Sequence, residues 1–212
     1  MKVWDSYIRV YHWLQVGLLG GLWWSAEVGE MEWHLRLASV LGALWISRLF
    51  WGVAGSDTAR FGHFVKGPAT VLAFARGLLT GKGTHSVGHN PLGALMVVAL
   101  LLVIGVQFGS GLFSSDEIFT DGPLVAMVSG DTVDLFSRLH HLNFAILQGL
   151  VVLHVLAVVV HARRGERLVP AMVTGKRPDL QELAVPAPVL RAVWPAWLVL
   201  GLATAGLYSW IV

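Results

Sequence analysis

The chain has 212 residues, 55% of them drawn from AVILMFWYC and only 13% charged, about half the charged share of an ordinary soluble domain. With a mean hydropathy of +0.66, 10 Trp and 24 Gly, this excludes a soluble enzyme and fits a polytopic membrane protein with Trp at the interfaces and Gly where helices approach. The absence of cysteine removes disulfides, thiolate zinc sites, iron–sulfur clusters and thioether-bound cofactors, and a net charge of +2 offers no footprint for nucleic acid.

Five stretches approach the roughly 20 apolar residues that a bilayer-crossing helix needs: 7–27, 33–53, 91–113, 138–162 and 190–212. The first holds Arg9, His12 and Gln15, and no small-x-small cleavage site precedes the acidic run from Glu27 to Glu32, so it reads as a span rather than a leader. His34 and Arg36 open the second span. In the loop that follows, Val71, Phe74, Ala75 and Leu78 recur at helical spacing among Lys66, Arg76 and Lys82. That pattern fits a short amphipathic helix on the inner surface, an ordinary packed loop being the other reading. The third span holds no charged residue, and the fourth carries His140, His141 and His154. Pro186 and Pro188 mark a hinge before the last span. The expected division is therefore 1–180 for a transmembrane domain and 181–212 for the hinge and an additional helix.

Orientation follows from Lys and Arg in the short loops. Thirteen of the fifteen fall on one side, in the N-terminal segment, in the loops 54–90 and 163–189 and at the adjoining Arg48 and Arg191, and only Arg36 and Arg138 fall on the other. The N-terminus is expected in the cytoplasm and the C-terminus outside it.

An ionisable side chain inside the hydrocarbon is costly and calls for a partner. Of nine His, His63, His85 and His89 belong to the inner loop, His161 to the inner rim and His141 to the outer edge, where solvated or interfacial roles suffice. His140 and His154 are 14 residues apart, which on a helix is about 40° short of whole turns with a rise of roughly 21 Å, so they share a face at two depths. His34 enters at the level of His140, and His12 lies near the inner end with His154. Two facing imidazole pairs, with no Cys and few carboxylates nearby, suit bis-histidine ligation of haem b better than zinc or a proton relay. Arg36 and Arg138 adjoin the outer pair, and Arg9 and Arg48 the inner one, each in reach of a haem propionate. Intramembrane Gly17, Gly20, Gly21, Gly42, Gly105, Gly109 and Gly149 fit either close helix packing or a flat macrocycle pressed on backbone.

The runs VWDSYIRVYHWL at 3–14, WGVAGSDTARF at 51–61, GHNPLGALMV at 88–97 and LVPAMVTGK at 168–176, with the His140 to His154 spacing, resemble the prokaryotic cytochrome b561 family and its relatives, the b-type cytochrome subunits of nickel–iron hydrogenases. The resemblance covers about residues 3 to 176. It implies an all-α membrane protein of the bacterial cytoplasmic membrane, a four-helix transmembrane di-haem bundle plus a fifth C-terminal helix. Two haem b would be held without covalent bonds by His12, His34, His140 and His154. Family members carry electrons between the membrane quinone pool and an outer redox partner, a c-type cytochrome or a hydrogenase-like subunit, and some oxidise superoxide. Here the outer loops hold Glu27, Glu30, Glu32, Asp116, Glu117, Asp121, Asp131 and Asp134 against two bases. That field suits a basic docking protein such as a c-type cytochrome and repels superoxide, so a superoxide:quinone oxidoreductase is the alternative. Arg48, His89, Asn90 and His161 mark the inner end as the expected place for quinone.

Overall fold

Each of the five apolar stretches forms a long helix in the computed structural model, which describes residues 1–80, 86–116, 120–178, 180 and 186–212. Lys82, His85 and Glu117 lie outside the described residues. In chain order the helices are α1 (Ser6–Glu27), α2 (Met31–Ala54), α3 (Phe61–Phe64), α4 (Pro68–Leu79), α5 (Pro91–Gly111), α6 (Gly130–Arg163), α7 (Leu168–Thr174) and α8 (Trp194–Ile211), with a 3-10 turn at Val125–Met127. α2, α5 and α6 are long and apolar enough to cross a membrane. In α1, Arg9, His12, Gln15 and Glu27 dilute the apolar run, and in α8 Trp, Tyr and Ser occupy the ends.

Two boundaries differ from the sequence expectation for local reasons. α6 begins eight residues before position 138, because Gly130 to Ser137 is polar but helix-competent, with Asp131 in its first turn, where a negative charge favours the helix dipole. α8 begins at Trp194 rather than 190, with Pro195 at its second position, where a missing N–H is harmless. The amphipathic segment expected around Val71 to Leu78 is α4, started by Pro68.

Packing groups the chain into two compact units, each drawn from three stretches. The first unit comprises Met1–His12, Arg48–Ala99 and Leu153–Trp197. Asp5 caps α1, its Oδ1 accepting from the Ile8 N–H at 2.8 Å while its Oδ2 accepts from the Trp51 indole at 3.0 Å. Around it Tyr7 meets the edges of Trp51 and Trp197. The N-terminal segment is held by backbone bonds from Val3 and Trp4 to the Gly175 carbonyl and by the Thr58 hydroxyl on the Val3 carbonyl. Gly175 ends α7 with φ +79°, a left-handed cap, the conformation that glycine adopts at least cost.

The second unit comprises Trp13–Ser47, Leu100–Val152 and Leu198–Val212. Here α2 and α5 interlock ring against glycine: a Cβ on Gly42 would stand 2.5 Å from the Phe108 ring, and one on Gly105 would stand 2.7 Å from Trp45. The Trp45 indole donates to the Leu101 carbonyl at 2.8 Å. Buried Asn143 of α6 donates to the Val103 carbonyl at 2.9 Å and to the Gln107 side chain at 2.6 Å on α5. Such polar links hold helices together where water-driven association is absent.

Candidate functional site

Each unit brings one pair of the expected histidines close together. In the first unit the rings of His12 on α1 and His154 on α6 have centres 6.4 Å apart and planes inclined at 51°. In the second, His34 on α2 and His140 on α6 repeat the spacing at 6.4 Å with an inclination of 69°. Two imidazoles bound end-on to one metal from opposite sides, through bonds of about 2 Å, place their ring centres roughly 6.3 Å apart. The donor chemistry agrees with that spacing. Each pair presents two imidazoles and no Cys, the donor set that a non-covalent haem b would take from a protein. The residues present therefore fit haem.

His140 and His141 are neighbours in sequence but not in environment. His140 is half-buried and faces His34, whereas His141 is exposed with its ring nearly perpendicular to that of His140. The ring of His140 lies so close to α5 that a Cβ on Gly111 would come within 3.0 Å of its Cε1. Its Nδ1 is 3.0 Å from the Gln107 carbonyl and 3.2 Å from the Ser110 hydroxyl. His34 is held alike, with Nδ1 3.1 Å from the Leu22 carbonyl and 3.2 Å from the Ser25 hydroxyl. A carbonyl only accepts, so Nδ1 carries the proton in both rings and Nε2 keeps the lone pair that a metal requires. Gln107, Ser110, Ser25 and Asn143 escaped the sequence reading because single polar residues in a span announce no partner.

The four arginines occupy different settings. Arg48 is buried, donates to the Ala59 carbonyl at 3.3 Å and lies over the rings of Phe61 and Tyr11. Arg9 donates to the Val173 carbonyl at 2.7 Å and to the Asp5 carbonyl at 3.3 Å, the first of these near the end of α7, where a cation is favoured. Arg36 pairs with Glu32 one turn back and covers Trp33. Arg138 is exposed on α6.

His89 of the inner loop and His161 of the inner rim, for which the sequence suggests solvated or interfacial roles, are both engaged in the first unit. His89 lies between the rings of Trp4 and Phe64, each 4.9 Å away. Burial pushes its imidazole down to about 3, with the Arg48 charge adding to the shift. At the end of α6, His161 joins a chain whose proton positions can be derived. Asn90 caps α5, its Oδ1 accepting from the Gly93 N–H at 2.7 Å, which turns its amide NH2 toward the His161 Nε2 at 3.3 Å. Nε2 therefore accepts, and Nδ1–H donates to Glu166 at 2.7 Å. The other Glu166 oxygen lies 3.7 Å from buried Arg177.

Of the intramembrane glycines, Gly21, Gly42 and Gly105 abut side chains, whereas a Cβ on Gly17, Gly20, Gly109 or Gly149 would meet nothing within 4 Å. Close protein packing thus accounts for only the first three.

In comparison with known proteins, a family model described as prokaryotic cytochrome b561 matches residues 3–175. No curated protein and no solved structure matches the chain.

Proposed function

The chain belongs to the prokaryotic cytochrome b561 family, and from that premise we propose that it is a di-haem member moving electrons between the membrane quinone pool and a redox protein on the outer side. Membership makes it a membrane b-type cytochrome of electron transfer. The observation that carries the finer reading is the pair of 6.4 Å imidazole facings, one in each unit. His12 and His154 would hold one haem b, and His34 and His140 the other. Held by such histidines, haem would supply a one-electron carrier.

Quinone chemistry couples each electron pair to protons, so its site needs titratable or hydrogen-bonding groups beside a haem. The first unit supplies His89, Arg48 and the Asn90, His161, Glu166 chain together with the His12 and His154 pair. With the thirteen to two bias of Lys and Arg, that unit belongs at the cytoplasmic side. The eight acids of the outer loops then favour a basic partner such as a c-type cytochrome over anionic superoxide.

The test is stoichiometry and extractability. The purified protein should show a reduced-minus-oxidised b-type spectrum and two haems per chain, all released by acidified acetone because no thiol is present to bind a vinyl group. A single haem per chain, or haem that stays with the polypeptide, overturns the reading.

A further inference from the structure

Two serines, far apart in sequence and on different helices, stand in the same relation to two histidines. Ser25 on α1 donates its hydroxyl hydrogen to the carbonyl three residues earlier, Leu22, at 3.0 Å, and Ser110 on α5 does the same to Gln107 at 3.1 Å. The His34 and His140 Nδ1 atoms each approach both members of such a couple, the hydroxyl at 3.2 Å and the carbonyl at 3.1 and 3.0 Å respectively. Ser25 and Ser110 are 0% and 2% exposed, so water does not compete for these bonds. Because each hydroxyl hydrogen is committed to a carbonyl, only an oxygen lone pair faces Nδ1. The imidazole N–H is thus shared between two acceptors.

We propose that Ser25 and Ser110 are matched positioning residues for the His34–His140 haem, each completing a two-acceptor clamp on one axial imidazole. The proposal rests on the bis-histidine reading and adds to it. A hydrogen bond accepted from Nδ1–H fixes the ring's orientation and raises the basicity of Nε2, and in a site of low dielectric both effects gain strength. A more basic pair of axial nitrogens stabilises ferric over ferrous iron, so the clamps hold this haem's potential down. Since Ser25 and Ser110 both belong to the second unit, the His12–His154 haem provides an internal control.

The experiment is an optical redox titration of the full-length holoprotein, comparing wild type with Ser25→Ala, Ser110→Ala, the double variant, Ser25→Thr and Ser110→Thr. Threonine keeps a hydroxyl able to bond the carbonyl one turn back. The expected result is that both haems are retained and that one of the two potentials rises in each Ala variant, further in the double. The component that moves is the one lost in His140→Ala, the other stays put, and each Thr variant returns toward wild type. Retention of both haems with neither potential moved overturns the clamp, as does a Thr shift as large as that of Ala. Wild-type protein with fewer than two haems overturns the bis-histidine reading itself, and this inference with it.

Discussion

Consecutive histidines on a helix differ by about 100° in direction, and at positions 140 and 141 that angle separates a ring facing His34 from an exposed one. His140→Ala should therefore bring the haem content from two per chain to one, and His141→Ala should leave it at two, as read by pyridine haemochrome against protein concentration. The reverse outcome would make His141 the ligand. Arg48 shows a different aspect of this scale. A buried guanidinium carries a desolvation cost that a single carbonyl bond offsets only in part. The faces of Phe61 and Tyr11 supply cation–π contacts, each worth about 1 to 2 kcal/mol when dry.

Helices are joined in this protein by a few polar bonds set among apolar contacts. Asn143 links α6 to α5 through two acceptors one turn beyond His140. Replacing it with Leu should lower stability by roughly 0.6 to 1.7 kcal/mol, the range of intramembrane hydrogen bonds, seen as a lower thermal midpoint in detergent with earlier release of the His34–His140 haem. An unchanged midpoint would make the link incidental. At the lead-in to α8, Asp57 accepts from the Val189 N–H at 2.9 Å while its own N–H donates to the Val189 carbonyl at 3.1 Å. The Val189 N–H, with Arg60 in support, holds this carboxyl below its ordinary value. A depressed carboxyl stabilises the fold above its unfolded pKa near 4 and loses that contribution as pH falls through the lower folded value. Exposure keeps the effect small, below about 1 kcal/mol. Amide exchange at Val189, corrected for its intrinsic pH dependence, should quicken below about pH 4 in the wild type and at all pH values in Asp57→Asn; a pH-independent wild-type profile would remove Asp57 from this role.

For the whole molecule the governing quantity is where charge falls along an otherwise apolar chain. The thirteen to two split of Lys and Arg predicts an inner N-terminus and an outer C-terminus. A phosphatase reporter fused after Val212, active only when exported, should be active, and a fluorescent reporter that matures only in the cytoplasm should be dark there. The opposite pattern would invert the proposed orientation.

Much of this protein was legible in its sequence because the membrane narrows the possibilities. Hydrocarbon admits few backbone arrangements beyond helices and closed barrels, so apolar runs named the long helices, and helical periodicity put His140 and His154 on one face before any packing was known. The cost of ionisable groups in apolar surroundings singled out His12 and His34 as their partners. The boundaries of α6 and α8 were less legible, since hydropathy measures the apolar stretch and not how far a polar but helix-competent flank such as Gly130 to Ser137 continues. Only the tertiary structure separated packing glycines such as Gly42 and Gly105 from those bordering open space, and gave His89 and His161 partners within the protein. It alone joined Ser25 to His34 and Ser110 to His140. The physical reason is range: burial and periodicity act within one helix and are written along it, whereas the acceptor that fixes a proton on Nδ1 sits on another helix, 12 or 33 residues away in the chain, and is decided only when the helices pack.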